Sequence, residues 1–277
     1  IAMVETERGR MFLDLTAEDM PLGSVPFADV DALALVIKPG ESVPFRLSRE
    51  FFRPNVLSVA TSVTLNADLS ASIQQTITNS GARSQSARSW FKNKQEREVS
   101  KQLLEMLASD YPDVELEDYS IDGVDELTQS ISYSMTFTIP DFVIEAATSR
   151  IFRIPWHTNV VPDEALSYDS RRYAYDFFNR RDSVYETITV TLPPNYEAVG
   201  LVPQFLARHD VASCTVTTST TGSVLTFTRR MVYNRSYVEP AEYASYKTFY
   251  NSIVRHDRRH VLLQPSAAGK GQRGRKR

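Results

Sequence analysis

Few residues of this chain have the types and spacings that catalysis or metal binding requires. Of the four histidines, His256 and His260 have the i, i+4 spacing that places two metal ligands on one helical face. A zinc-protease helix carries glutamate after its first histidine, whereas Asp257 and two arginines follow here, and adjacent cations oppose a divalent ion. The sequence therefore predicts no metal site, and no pattern calls for a cofactor.

Nucleophilic chemistry is equally poorly supported by the residue pattern. The chain has one cysteine, Cys214, and it shares one face of a predicted strand with Ala212 and Val216, which is typical of a small buried apolar residue. The sequence contains no G-x-S-x-G elbow, G-x-G-x-x-G loop or Walker pattern. An enzyme assembled from His157 or His209 and scattered carboxylates stays open, without a pattern in its favour.

Aromatic and basic residues alternate through positions 171–181. Such interleaving can stack sugars or nucleobases, or it can pack as cation–π pairs at a domain junction. A binding function would need an exposed aromatic platform, for which Trp156, Tyr173 and Tyr175 are the candidates. The junction interpretation is favoured because the surrounding module is acidic.

Charge and composition exclude several classes of protein. The 277 residues are 42% hydrophobic and 23% charged, as in ordinary globular proteins. Five of the 31 basic residues lie in the last eight positions, so the remainder carries 26 basic against 34 acidic residues, a net charge of −8. That balance argues against nucleic-acid binding. Residues 265–277 are predicted to be a disordered basic tail.

Targeting signals are missing from the sequence as it stands. No apolar run reaches the length of a transmembrane segment, and the start does not have the pattern of a signal peptide. Because the first residue is Ile1, we expect a chain that is trimmed or that begins partway through a longer reading frame.

The first half of the chain predicts a β-rich module over residues 44–160. Residues 56–65 and 69–78 alternate as strands around a turn, and residues 131–139 alternate apolar and hydroxyl side chains as a strand with one wet face. Between them, residues 82–109 have an apolar stripe at helical spacing and predict one amphipathic helix.

The second half predicts a similar module. Residues 161–184 form an aromatic and basic linker, and residues 185–264 contain strands and a helix over 241–254. Strands that follow one another through hairpins form antiparallel sandwiches. The predicted class is therefore mainly β, with two antiparallel β-sandwich-like modules that each carry one amphipathic helix.

Three stretches in a fixed order resemble bacterial transglutaminase-like proteins. Residues Met11–Thr16 and Pro21–Pro26 resemble the "hydrophobic-LDxT … LGxLP" end of the papain-like core, although Leu15 stands where proline is common. Residues Tyr185–Pro194 resemble the "YxExixixLP" strand of the module that follows such cores. Residues Glu239–Phe249 and Val261–Leu263 resemble that module's last segment. The resemblance covers about residues 10 to 264.

The resemblance implies a role for Asp14 and an origin for the chain. In that family a β-sandwich domain of unknown function precedes a core with a Cys-His-Asp triad, and β-rich modules follow. Asp14 matches the aspartate that orients the histidine. The cysteine and histidine would lie upstream, so this chain would be a non-catalytic C-terminal part, with residues 1–43 as the tail of the core and a connecting hairpin.

The resemblance also implies partners and a location. The β modules would support the preceding core of the same parent chain or bind its partner or substrate, which could be a protein or a glycan. The family is typically exported, so we expect a periplasmic or extracellular protein. The alternative is a free-standing β-sandwich protein of the cell envelope that binds carbohydrate or protein.

Overall fold

The structure is a computed structural model that describes residues 1–7, 9–41, 43–48, 51–146, 149–177 and 183–266. Nearly all of the predicted basic tail, and residues 178–182 of the predicted linker, lie outside that range. The helices are α1 (Arg83–Phe91), α2 (Glu96–Ala108) and α3 (Tyr243–Asp257). The strands are β1 (Ala2–Thr6), β2 (Gly9–Leu13), β3 (Leu33–Ala34), β4 (Phe45–Arg46), β5 (Val56–Leu65), β6 (Ala71–Asn79), β7 (Glu115–Asp122), β8 (Ile131–Ile139), β9 (Ile144–Ala146), β10 (Ser149–Arg153), β11 (Tyr175–Asp176), β12 (Ser183–Thr191), β13 (Tyr196–Gly200), β14 (Phe205–Arg208), β15 (Ala212–Thr221), β16 (Val224–Tyr233), β17 (Tyr237–Val238) and β18 (His260–Pro265).

One eight-stranded sheet dominates the fold and confirms the mainly β class. Its order is β14-β15-β16-β12-β5-β6-β8-β7, and only the β12–β5 pair among these strands is parallel. That pair joins the two halves of the chain, which were expected to form separate sheets. Pairing by hairpins alone would leave β5 and β12 as exposed edges, and their union removes both edges. The predicted domain boundaries stay predictions.

The two faces of this sheet differ in chemistry. On the inner face, alternate residues such as Leu57, Ile73 and Phe227 are fully buried. They share one core with the helices and with a second sheet of order β13-β18-β10-β9. The outer face is lined by hydroxyl side chains, for example Thr76 and Ser134, whose oxygens lie 2.8 Å apart on neighbouring strands. Such alternation is expected of a sheet with one solvated face.

The helix predicted over residues 82–109 is two helices. The chain leaves the helical conformation at Lys92 and passes through Asn93, whose φ is 61°. Helix α2 then begins with a capping box between Gln95 and Glu98, which satisfies backbone N–H groups at its first turn. The second predicted helix, over 241–254, is confirmed as α3 with its end three residues later.

The N-terminal segment has a small core of its own. Strands β1 and β2 form a hairpin, and the short β3–β4 ladder lies beside it. The buried residues of this second core are Phe12, Val25, Val30 and Leu47. Polar contacts tie the segment to the main body: Lys92 Nζ lies 2.5 Å from Asp19 Oδ1, and the Ser236 hydroxyl donates to Asp31.

Candidate functional site

Asp14 lies in a tight turn directly after β2. Its Oδ1 atom accepts the backbone N–H of Thr16 at 2.9 Å and the Thr16 hydroxyl at 2.7 Å. These two hydrogen bonds lower the pKa of Asp14, because they stabilise the ionised carboxylate. Leu15 projects into solvent in the same turn. The described contacts of Asp14 are those of a turn-forming aspartate, and its match to a triad residue stays a prediction.

Replacing Thr16 with valine is expected to raise the pKa of Asp14 towards its ordinary value. The substitution removes the hydroxyl, which is the larger cause of the lowered pKa, and keeps the branched shape. A pKa that is lowered in the folded state adds stability at pH values above the ordinary pKa of the group. Wild type therefore has this added stability above about pH 4 and loses it as the pH falls through the lowered pKa of Asp14. Carbon-detected NMR of the carboxyl group measures the change.

A matched control is available elsewhere in the chain. Asp68 makes the same pair of bonds to the backbone N–H and hydroxyl of Ser70, and its pKa is lowered for the same reason. It should titrate identically in wild type and in Thr16→Val. An unchanged Asp14 titration in the variant would contradict the assignment of the shift to Thr16.

The three aromatic residues proposed as a binding platform are not exposed together. Trp156 and Tyr175 are buried, and only Tyr173 is open to solvent, at 71% of its area. The Tyr175 hydroxyl donates to Asp163, and the Trp156 ring lies against the guanidinium of Arg229 at 4.5 Å. The rings of Trp156 and Tyr175 therefore serve packing, because each contacts an internal polar partner.

The basic residues of the aromatic stretch that are described also pack internally. The guanidinium of Arg171 lies 5.0 Å from the ring of Tyr175 and 5.5 Å from that of Tyr243. It also donates to the carbonyl of Ala165. Arg171 therefore packs through cation–π contacts, and its location at a domain junction stays a prediction.

Cys214 is fully buried on the inner face of β15. Burial raises the pKa of its thiol to about 12, so the thiolate does not form near neutral pH. The interpretation of Cys214 as a small apolar core residue is confirmed.

The two histidines with helical spacing do not share a helix. Helix α3 ends at Asp257, and His260 begins β18. His256 is buried, donates from Nε2 to the Pro203 carbonyl at 3.0 Å and stacks on the ring of Phe205. Within the described part of the chain, no group of three or more His, Cys, Asp or Glu side chains is arranged to hold a metal ion.

A cluster of buried charges beside the ring of Trp156 connects β12, β16 and the end of α3. Arg229 on β16 forms ion pairs with Glu186 on β12 and with Asp257 at the end of α3, and all three side chains are inaccessible to solvent. Glu186 also accepts the backbone N–H of Thr158 at 2.9 Å. Burial would lower the pKa of Arg229, but the two carboxylates outweigh it and hold this pKa above its ordinary value. The cluster fixes the loop after β10 to the sheet.

A cavity of about 120 Å³ lies beside this loop, between the inner sheet face and the end of α2. Two polar residues of the sheet line it: Gln75 Nε2 donates to Thr61 Oγ1 at 3.1 Å, and Gln75 Oε1 lies 3.3 Å from His157 Nδ1. The exposed part of the lining includes Ser109 and Asp110. Strand alternation puts Thr61 on the same face as Val59 and Val63, so a polar residue on an apolar face is the sequence signal that indicates this site.

A larger and more open groove of about 590 Å³ lies in the N-terminal segment. Its walls come from the β1–β2 hairpin and the stretch around β3 and β4, with almost wholly apolar side chains. Leu35 and Ile37 line it and are 55% and 99% exposed. Ion pairs Lys38–Glu5 and Arg10–Glu41 link the two walls. The groove therefore presents apolar side chains to solvent.

Comparisons with known proteins bear mainly on the second half of the chain. Residues 150–263 match a family described as "Domain of Unknown Function with solved-structure structure (DUF3858)". No curated protein matches the chain. A crystal structure of a "putative protease" from Parabacteroides distasonis ATCC 8503 aligns with a TM-score of 0.34 and 16% sequence identity. The alignment covers 43% of this chain and 24% of that chain.

The comparisons assign a domain to the second half of the chain but do not assign it an activity. The chain contains a domain of unknown function on a β-rich fold, and neither comparison places a transglutaminase-like core within it. None of the described helices combines the length and the apolar character that crossing a membrane requires.

Proposed function

We propose that this chain is a non-catalytic support and interaction module that docks a protein partner on its N-terminal apolar groove. The observation that carries the proposal is the exposure of Leu35 and Ile37, which line that groove. Burying side chains of this size contributes about 1.5–3 kcal/mol each, which is the usual source of affinity at the centre of a protein interface.

The proposed partner is the transglutaminase-like core of the same parent chain. The resemblance of residues 11–26 to the end of such a core supports this choice, because those residues include Phe12 of the groove wall. A core that precedes this segment would lie close to the groove and could cover it. On the same resemblance, the parent protein is exported to the periplasm or the cell exterior.

We propose further that the chain has no catalytic activity of its own. Cysteine catalysis needs a thiolate, and the raised pKa of Cys214 opposes its formation. The groove is apolar, so it offers a docking surface and little that could move a proton.

Replacing Ile37 with aspartate is expected to weaken binding of the proposed partner by about 10- to 100-fold, because a charge would enter an apolar contact. The partner is the in-frame upstream region of the gene, expressed as a separate chain, and titration calorimetry measures the affinity. Folding should be unaffected, since Ile37 is 99% exposed.

Val161→Asp is the matched control, because Val161 is an exposed apolar loop residue that does not line the groove. It should bind as wild type does. Equal affinity of wild type and Ile37→Asp would overturn the docking surface. A parent gene that encodes no such upstream region would overturn the choice of partner.

A further inference from the structure

We infer that the 120 Å³ cavity binds the acetamido group of an N-acetylated amino sugar. This inference does not depend on the docking groove, which lies in another part of the chain. It starts from two buried polar side chains of the sheet that line the cavity between apolar neighbours.

Thr61 and Gln75 interrupt an apolar surface. They lie directly opposite each other on β5 and β6, and both are buried. The inward neighbours along the two strands, Val59, Val63, Ile73 and Ile77, are all apolar. Apolar side chains usually fill such inward positions, so this hydrogen-bonded pair places polar atoms on a cavity wall where an incoming polar group can contact them.

The pair is oriented by its own hydrogen bonds. Gln75 donates to Thr61 and accepts from His157, which fixes the amide plane at the cavity wall. The Thr61 hydroxyl accepts from Gln75, and a hydroxyl that accepts can also donate its own proton. The wall therefore offers a positioned donor to an incoming carbonyl oxygen.

The size and lining of the cavity fit an acetamido group. A cavity of about 120 Å³ has room for a group of a few heavy atoms, such as an acetamido group. Buried apolar side chains, Ile73, Leu107 and Phe137, offer a surface for its methyl group. A carboxamide side chain of a protein would place a polar NH₂ group against that same surface, which is unfavourable.

The exposed part of the lining suits the sugar ring. Asp110 and Ser109 are exposed, and Tyr111 lies beside them. A carboxylate accepts several hydrogen bonds, so Asp110 can accept from sugar hydroxyls while its Oδ2 interacts with Asn159 at 3.3 Å. Tyr111 offers an aromatic surface, and burial raises the pKa of its hydroxyl to about 12, which keeps it protonated.

Titration calorimetry of the full chain with N-acetylglucosamine tests this site, with glucose as the control ligand. We expect N-acetylglucosamine to bind at least about tenfold more tightly than glucose. Thr61→Val keeps the shape and removes the donor, so it should weaken N-acetylglucosamine binding by about fivefold. It also leaves the buried Gln75 amide without its acceptor, so a lower thermal midpoint is expected and binding is compared at a temperature at which both proteins are folded. Thr187→Val, on the exposed face of β12, should bind as wild type does.

Three results would overturn the inference. They are equal affinity for glucose, unchanged affinity in Thr61→Val, and tighter binding of the peptide Gly-Gln-Gly than of N-acetylglucosamine. The last result would assign the cavity to protein carboxamides.

Discussion

Arg229→Met is expected to lower the free energy of unfolding by about 3–5 kcal/mol, because it leaves two carboxylates buried without a counter-ion. Arg229 pairs with Glu186 and Asp257, and all three side chains are inaccessible to solvent. Its guanidinium also donates to the Thr158 carbonyl and lies on the ring of Trp156. Urea denaturation followed by circular dichroism measures the loss.

Two further variants separate lost charge from lost packing. Arg230→Met changes the neighbouring arginine on the solvent side of β16, where it lies over the ring of Tyr185 at 5.6 Å, and should cost less than about 1 kcal/mol. The triple variant Arg229→Met, Glu186→Leu, Asp257→Leu removes every charge together and should recover most of the stability. A triple variant as unstable as the single one would show that uncompensated charge is not the cause.

Arg88→Met is expected to destabilise the protein by about 3 kcal/mol and to loosen the loop between β7 and β8. The buried guanidinium of Arg88, on α1, donates to the Ser84 hydroxyl at 2.7 Å. It also donates to three carbonyls of that loop, those of Gly123, Glu126 and Gln129. Hydrogen bonds to a charged group contribute about 1.5–3 kcal/mol each, and their losses overlap.

Hydrogen exchange over residues 123–130 distinguishes this loss from general destabilisation. In Arg88→Met the increase in exchange rate over wild type should be larger for these amides than for the amides of β12, because the loop loses its anchor directly. Arg88→Lys should restore little of the lost stability, since one ammonium group cannot reproduce the planar guanidinium that donates to three carbonyls. Arg97→Met, at an exposed position on α2, is the control. Uniform acceleration across the chain would contradict a local role for Arg88.

The internal position of Arg229 could have been predicted from the sequence, although its partners could not. In β16, Leu225, Phe227, Arg229 and Met231 alternate on one face, so Arg229 falls on an apolar face. Glu186 falls in the same way among the inward residues of β12. A charge at an inward position predicts a buried pair. Alternation within one strand does not identify the oppositely charged partner, because the partner depends on which strands become neighbours in the sheet.

The elements with strong local patterns were the ones that the sequence predicted well. Strands β5, β6 and β8 and helix α3 each have a clear apolar period, and each lies within a few residues of its prediction. The division of residues 82–109 into α1 and α2 was missed. Lysine, asparagine and glutamine at positions 92–95 are compatible with a helix, and the left-handed conformation of Asn93 depends on its surroundings.

The sequence by itself determined the mainly β class, the amphipathic faces and the absence of any nucleophile or phosphate-loop pattern, because these depend on residues close together in the chain. The tertiary structure alone decided that β12 pairs in parallel with β5, across more than 100 residues. The antiparallel β12–β16 pairing places Glu186 directly opposite Arg229. The β12–β5 pairing then brings this pair, and the loop of Trp156 and His157 that it holds, beside Thr61 and Gln75. Sites formed by such long-range pairing have no local signal, since their residues become neighbours only when the sheet closes.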